Sequence, residues 1–70
     1  MKLKELLAVV DNEEIIEIND GSRPIREMGV FYGFAYDAKV MVDGECTVDA
    51  LTAEGEFLSV LIDGKTGGKR

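Results

Sequence analysis

The chain has no histidine and no tryptophan, and only one cysteine and one proline in 70 residues. Each shortage removes a class of chemistry. A single thiol cannot close an intramolecular disulfide, and without His or a second Cys a thiolate or imidazole zinc site cannot be assembled from one chain. Ser22, Ser59 and Cys46 have no imidazole to activate them as nucleophiles. No apolar run approaches the length that crosses a bilayer. The opening Met1-Lys2-Leu3-Lys4-Glu5-Leu6-Leu7 also lacks the apolar stretch of a secretion signal. The expected compartment is the cytoplasm, where a free thiol persists. Basic residues are scarce too: eight Lys and Arg face fourteen Asp and Glu, for a net charge of −6. Non-specific DNA or RNA binding needs a basic stripe to displace counterions, so direct nucleic-acid binding is not expected.

What remains is a small, Gly-punctuated chain. Asp20-Gly21, Asp43-Gly44, Glu54-Gly55 and Asp63-Gly64 are pairs suited to tight turns, and they divide short apolar runs into a β-rich domain. Leu3, Leu6, Leu7 and Val10 fall on one helical face, giving an N-terminal amphipathic helix of about ten residues that ends near Asp11-Asn12 and must pack on a sheet. Glu14 to Asn19 alternates as a strand. Ile25 to Ala35 reads as a second strand, opened or edged by Pro24 and bent at Gly29 and Gly33. Ala38 to Val42 and Glu45 to Ala53 read as a hairpin about Asp43-Gly44, pairing Val42 with Glu45 and Val40 with Thr47. Glu54-Gly55 reverses the chain into Glu56 to Ile62, a strand apolar on both faces that is expected to lie under the helix on one side and against a second subunit on the other. The expected fold is α+β: the helix on a strongly bent antiparallel sheet or small barrel of about five strands. Residues 1–63 form the domain and residues 64–70 a flexible basic tail. Gly64-Lys65-Thr66 is no phosphate loop, because the first glycine of that motif is replaced by Ser59.

Catalytic constellations are absent from the pattern, and neither an enzyme nor a cofactor is expected. Asp37 and Asp49 would approach across the hairpin, but surface carboxylates are the ordinary state of an acidic chain. Asp11, Glu13 and Glu14 do not have the spacing of a calcium loop, and no metal site is expected. The clustered basic and aromatic groups outside the tail are Arg23, Arg26, Tyr32, Tyr36 and Lys39, in a run that also holds Phe31 and Phe34. Guanidinium forks and aromatic rings bind nucleotide-like anions, which makes these five residues the candidate ligand site; alternatively the rings are core and the arginines pair with Glu13, Glu17 or Glu27.

The opening Met1 to Leu7 with Glu14-Ile15-Ile16-Glu17-Ile18, and the later Ala50-Leu51-Thr52-Ala53-Glu54-Gly55-Glu56-Phe57-Leu58, resemble short helix-plus-sheet accessory proteins of phages and prophages of Gram-positive gut bacteria. The resemblance covers about half the chain and implies a phage protein in the host bacterial cytoplasm. The order of a helix and about five strands is also similar to the ring-forming Sm barrel. However, Asp37-Ala38-Lys39-Val40-Met41 does not reproduce the Asn-containing Sm loop, and no Arg-Gly pair precedes the last strand, so Sm-type RNA binding is not implied. Two functions follow as expectations. One is a small homo-oligomer that sequesters a nucleotide signal of host immunity through Arg23, Arg26, Tyr32 and Tyr36. The other is an acidic inhibitor that covers a basic host-protein surface, with a scaffold protein as a third reading.

Overall fold

The computed structural model describes residues 1–67. Helix α1 spans Leu3–Val9, and its buried residues Leu3, Leu6 and Leu7 are those of the apolar stripe. The Glu5 carboxylate accepts a hydrogen bond from the Lys2 amide at 2.9 Å, satisfying an N-terminal donor that the helix leaves free. Strand β1 follows at Ile15–Asp20, with Ile16, Ile18 and Asp20 turned inward and buried.

Pro24 does not open a strand. It precedes a single 3-10 turn at Ile25–Glu27, and β2 begins only at Gly29 and ends at Phe34. The expected bend is present at Gly29: Ile18 pairs with Phe31 but Asn19 with Gly29, leaving Val30 as the extra residue of a bulge. Gly33 stays in register, opposite Ile16.

The expected hairpin about Asp43-Gly44 is not formed. Ala35–Met41 is a second helix, α2, with Ala35 and Ala38 buried. The physical reason is the Ala35, Ala38, Val42 spacing: small residues at i and i+3 let this helix lie close against the sheet, where β-branched Val40 and Val42 had read as a strand. Val40 is 84% exposed. Asp43-Gly44 instead forms a turn in which the Asp43 carboxylate accepts from the Glu45 amide, delivering the chain to β3 at Thr47–Ala53. Thr47 therefore pairs with Asp63, not with Val40.

The Glu54-Gly55 reversal is present. It joins β3 to β4, Leu58–Asp63, in an antiparallel hairpin that closes on the Ala53 and Leu58 pair, with Gly55 at φ 78°. Strand order is β2-β1-β4-β3, and the two central strands, β1 and β4, run parallel. Among the described residues the sheet has four strands, is mixed and is open, which replaces the expectation of about five strands, of an all-antiparallel sheet and of a barrel. Both helices lie on one face, over Ile16, Ile18, Val60 and Ile62. Gly64–Thr66, the start of the segment read as a tail, is a 3-10 turn whose Thr66 hydroxyl accepts from the Thr47 amide at 2.7 Å. Residues 68–70 of that segment lie outside the described residues. Among the described residues, no helix is long and apolar enough to cross a membrane.

Candidate functional site

The pairing register divides the molecule into two ends. Ile15 stands opposite Phe34, Ile16 opposite Leu58, and Ala53 opposite Leu58, so the start of β1, the end of β2, the end of β3 and the start of β4 meet at one end. The end of β1 and the end of β4 meet at the other.

The second end holds a cavity of about 330 Å³, lined by Asp20, Arg23, Val30, Met41, Val42, Asp43, Cys46, Ile62 and Gly64. Asp20 is 5% exposed and fully engaged. Its Oδ1 accepts from the Ser22 amide at 2.9 Å, the Ser22 hydroxyl at 2.6 Å and the Gly64 amide at 2.8 Å, while Oδ2 faces Arg23 Nε at 3.3 Å. Burial alone would push the Asp20 carboxyl up, but these donors and the Arg23 charge together hold it below its ordinary value. The chemistry of this end is accounted for by the fold: Asp20 ties together two parallel strands that no short turn joins.

The first end is different. β1, β2 and β4 turn Ile15, Glu17, Tyr32, Phe34, Ser59 and Leu61 onto the sheet face that carries no helix, as the two-residue alternation requires. Tyr32 meets Phe57 edge to face with ring centres 5.8 Å apart, and Phe34 stacks on Tyr36, the first turn of α2, at 5.4 Å with the planes 8° apart. Tyr32 is 65% exposed, Tyr36 46% and Phe34 41%. Asp11, Glu13, Glu14, Asp37, Glu54 and Glu56, all exposed, occupy the loops and the α2 turn around these rings. Lys39, on α2, has its ammonium hydrogen-bonded to the Asn12 side chain.

The five residues expected to form a ligand site are therefore not brought together in one protomer. Arg23 sits in the loop after β1, paired with Asp20 rather than with Glu13, Glu17 or Glu27. Arg26 is exposed on the 3-10 turn at the same end. Tyr32 is on the bare sheet face, and Tyr36 and Lys39 are on α2 towards the opposite end. Phe31 turns inward and packs on the core, so the aromatic run is split between two faces. Asp37 and Asp49 are separated as well, one in α2 and the other in the bulge of β3 between Val48 and Ala50.

Glu17 and Phe57 belong to this face although the sequence pattern does not mark them as a site. The available signal was the alternation of Glu17 with Ile16 and Ile18, which sets its carboxylate on the face opposite the core. Comparison with known protein families, with curated proteins and with solved structures finds no match to this chain.

Proposed function

We propose that this is a non-catalytic binding protein whose acidic, aromatic sheet end seats a basic surface of another protein. The observation that carries the reading is the charge distribution just described: four aromatic rings lie amid a rim of carboxylates with Lys39 engaged by Asn12, while Arg23, Arg26 and Lys65 lie towards the other end of the strands. Apolar rings supply contact area, and the surrounding negative potential selects and steers a partner of opposite charge. A second copy docking there would bring its own rim of carboxylates against this one, so a basic partner suits this face better than a second copy does. The resemblance to phage accessory proteins fits an inhibitor that covers the working surface of a host defence protein. The nucleotide-sequestering reading makes a further demand: the arginines of one subunit must meet the rings of another.

The test follows two probes by NMR on the intact protein: a ten-residue Lys-Ser repeat peptide and a panel of cyclic and ADP-ribose-type nucleotides. The expected result is peptide-induced shifts confined to Glu13, Glu14, Tyr32, Tyr36 and the 54–57 loop, weakened at least tenfold by Glu54→Lys with Glu56→Lys and unchanged by Arg23→Ala. Peptide shifts centred on Asp43 and Asp63 would overturn the reading. Nucleotide binding that Arg23→Ala abolishes would replace it with sequestration.

A further inference from the structure

Glu17 is a half-buried carboxylate at the centre of an aromatic face, in register with Tyr32 on one side and Ser59 on the other. Its Oε1 accepts only a long hydrogen bond from the Ser59 hydroxyl, 3.3 Å, and among the described residues no Lys or Arg pairs with it. The acidic residues that do have cationic partners, Glu45 with Lys2 and Lys4 and Asp20 with Arg23, belong to other parts of the molecule. The sequence thus places a carboxylate with spare acceptor capacity on the strand face it shares with Ile15, Tyr32, Phe34 and Ser59. It sits beside the edge-to-face pair of Tyr32 and Phe57.

We infer that Glu17, Tyr32 and Phe57 form a seat for one arginine side chain of the partner, an inference that rests on the basic-surface reading above. The chemistry selects arginine over lysine. A guanidinium is planar, so it lies against an aromatic face while its fork of N–H donors meets both oxygens of a carboxylate. A lysine ammonium is a compact, strongly hydrated point charge that makes one such contact at a time and gains less from the rings. Glu17 lies between the rings and Ser59 rather than at the solvated rim, so a paired guanidinium is partly shielded from water there and its charge-assisted hydrogen bonds are strengthened. The rim carboxylates provide attraction at long range, whereas Glu17 reads the shape of the cation.

The test compares two ten-residue peptides of equal charge, one an Arg-Ser repeat and the other a Lys-Ser repeat, by calorimetry and by ring-proton shifts of Tyr32 and Phe57. The expected result is about tenfold tighter binding of the Arg peptide, with Glu17→Gln weakening the Arg peptide several-fold more than the Lys peptide, so that the preference is lost. Equal affinities of the two peptides at the acidic end would overturn the arginine seat and leave the basic-surface reading standing. Absence of ring shifts with both peptides would overturn both. If Glu17→Gln lowers the melting temperature substantially, Tyr32→Leu on the edge strand replaces it: loss of the Arg preference supports the seat, and its retention overturns it.

Discussion

The Asp20 carboxylate accepts the Gly64 amide at 2.8 Å across 44 residues of sequence. β1 and β4 lie side by side and run parallel, so the ends of both strands arrive at this point without a hairpin to fix their distance. A Cβ on Gly64 would fall 2.0 Å from Asp20 Oδ2, so glycine is what lets the turn after β4 close on the carboxylate.

Gly64→Ala is accordingly expected to destabilise the fold by about 2–3 kcal/mol, since it forces apart a close backbone and side-chain contact. Asp20→Ala is expected to cost about 2–4 kcal/mol, because it leaves the Ser22 and Gly64 donors without their acceptor. Both changes break the same contact, so in urea denaturation the double variant should lose clearly less than the two single losses combined. Additive losses would show that Asp20 and Gly64 act independently.

The Glu45 carboxylate bridges Lys2 Nζ at 2.8 Å and Lys4 Nζ at 2.6 Å, and hydrogen bonds from Lys2 and then Lys4 bring its pKa down to about 2 from an ordinary 4.5. A depressed carboxyl pKa contributes stability that is present above the unfolded value and lost as pH falls through the folded one. Stability should therefore decline between about pH 4.5 and pH 2. Asp20, also depressed, adds to the loss below its ordinary 3.8. Glu45→Gln should flatten the upper part of this decline by the same modest amount as it lowers stability at pH 7, because the pair is exposed to solvent and screened. Carboxyl-carbon NMR titration checks the assignment, and a Glu45 midpoint near 4.5 would contradict the bridge.

The elements that could be read from the chain are those whose pattern is local. The Leu3, Leu6, Leu7 stripe defines α1, the Ile16 and Ile18 alternation defines β1, and the Glu54-Gly55 pair locates the last hairpin. Ala38 to Val42 reads as a strand because Val40 and Val42 alternate and Asp43-Gly44 mimics a hairpin turn, whereas the feature that makes Ala35–Met41 a helix is the room needed under Ala35 and Ala38, a tertiary quantity. The parallel pairing of β1 with β4 joins segments some forty residues apart, and nothing local encodes it. The same limit governs the site. Arg23, Arg26, Tyr32 and Tyr36 are neighbours in sequence, but one strand and one turn of helix carry them to different ends.

Substitutions in α2 separate the two readings of that segment directly. Val40→Ala removes a β-branched side chain from an exposed helical position and should be neutral or stabilise by a few tenths, ~0.3 kcal/mol. Ala38→Leu inserts volume at a fully buried position and should cost about 1–3 kcal/mol. A strand at the same place would give a different result, with Val40→Ala destabilising by up to about 1 kcal/mol. Thermal or urea unfolding of the two variants decides between them.

Cys46 is 4% exposed, and its carbonyl accepts the Leu3 amide at 2.8 Å, which holds the bend before β3 against the start of α1. A Cβ on Gly67 would come within 3.2 Å of its sulfur, so the chain closes tightly over the thiol. Burial, reinforced by the charges of Asp43, Asp20 and Asp63, pushes the Cys46 thiol above its ordinary 9.0. Since the thiolate is the reactive species, native Cys46 should react with iodoacetamide at pH 8 at least tenfold more slowly than the urea-unfolded chain, and its rate should follow opening of the fold. A raised pKa contributes stability below the unfolded value that is lost as pH rises, so the protein should weaken above about pH 9 and Cys46→Ala should weaken less over that range. Labelling of the native protein at the unfolded rate would show that the sulfur is open to solvent. It would also show that the contact of residues 64–67 with the cavity beside Asp20 does not persist in solution.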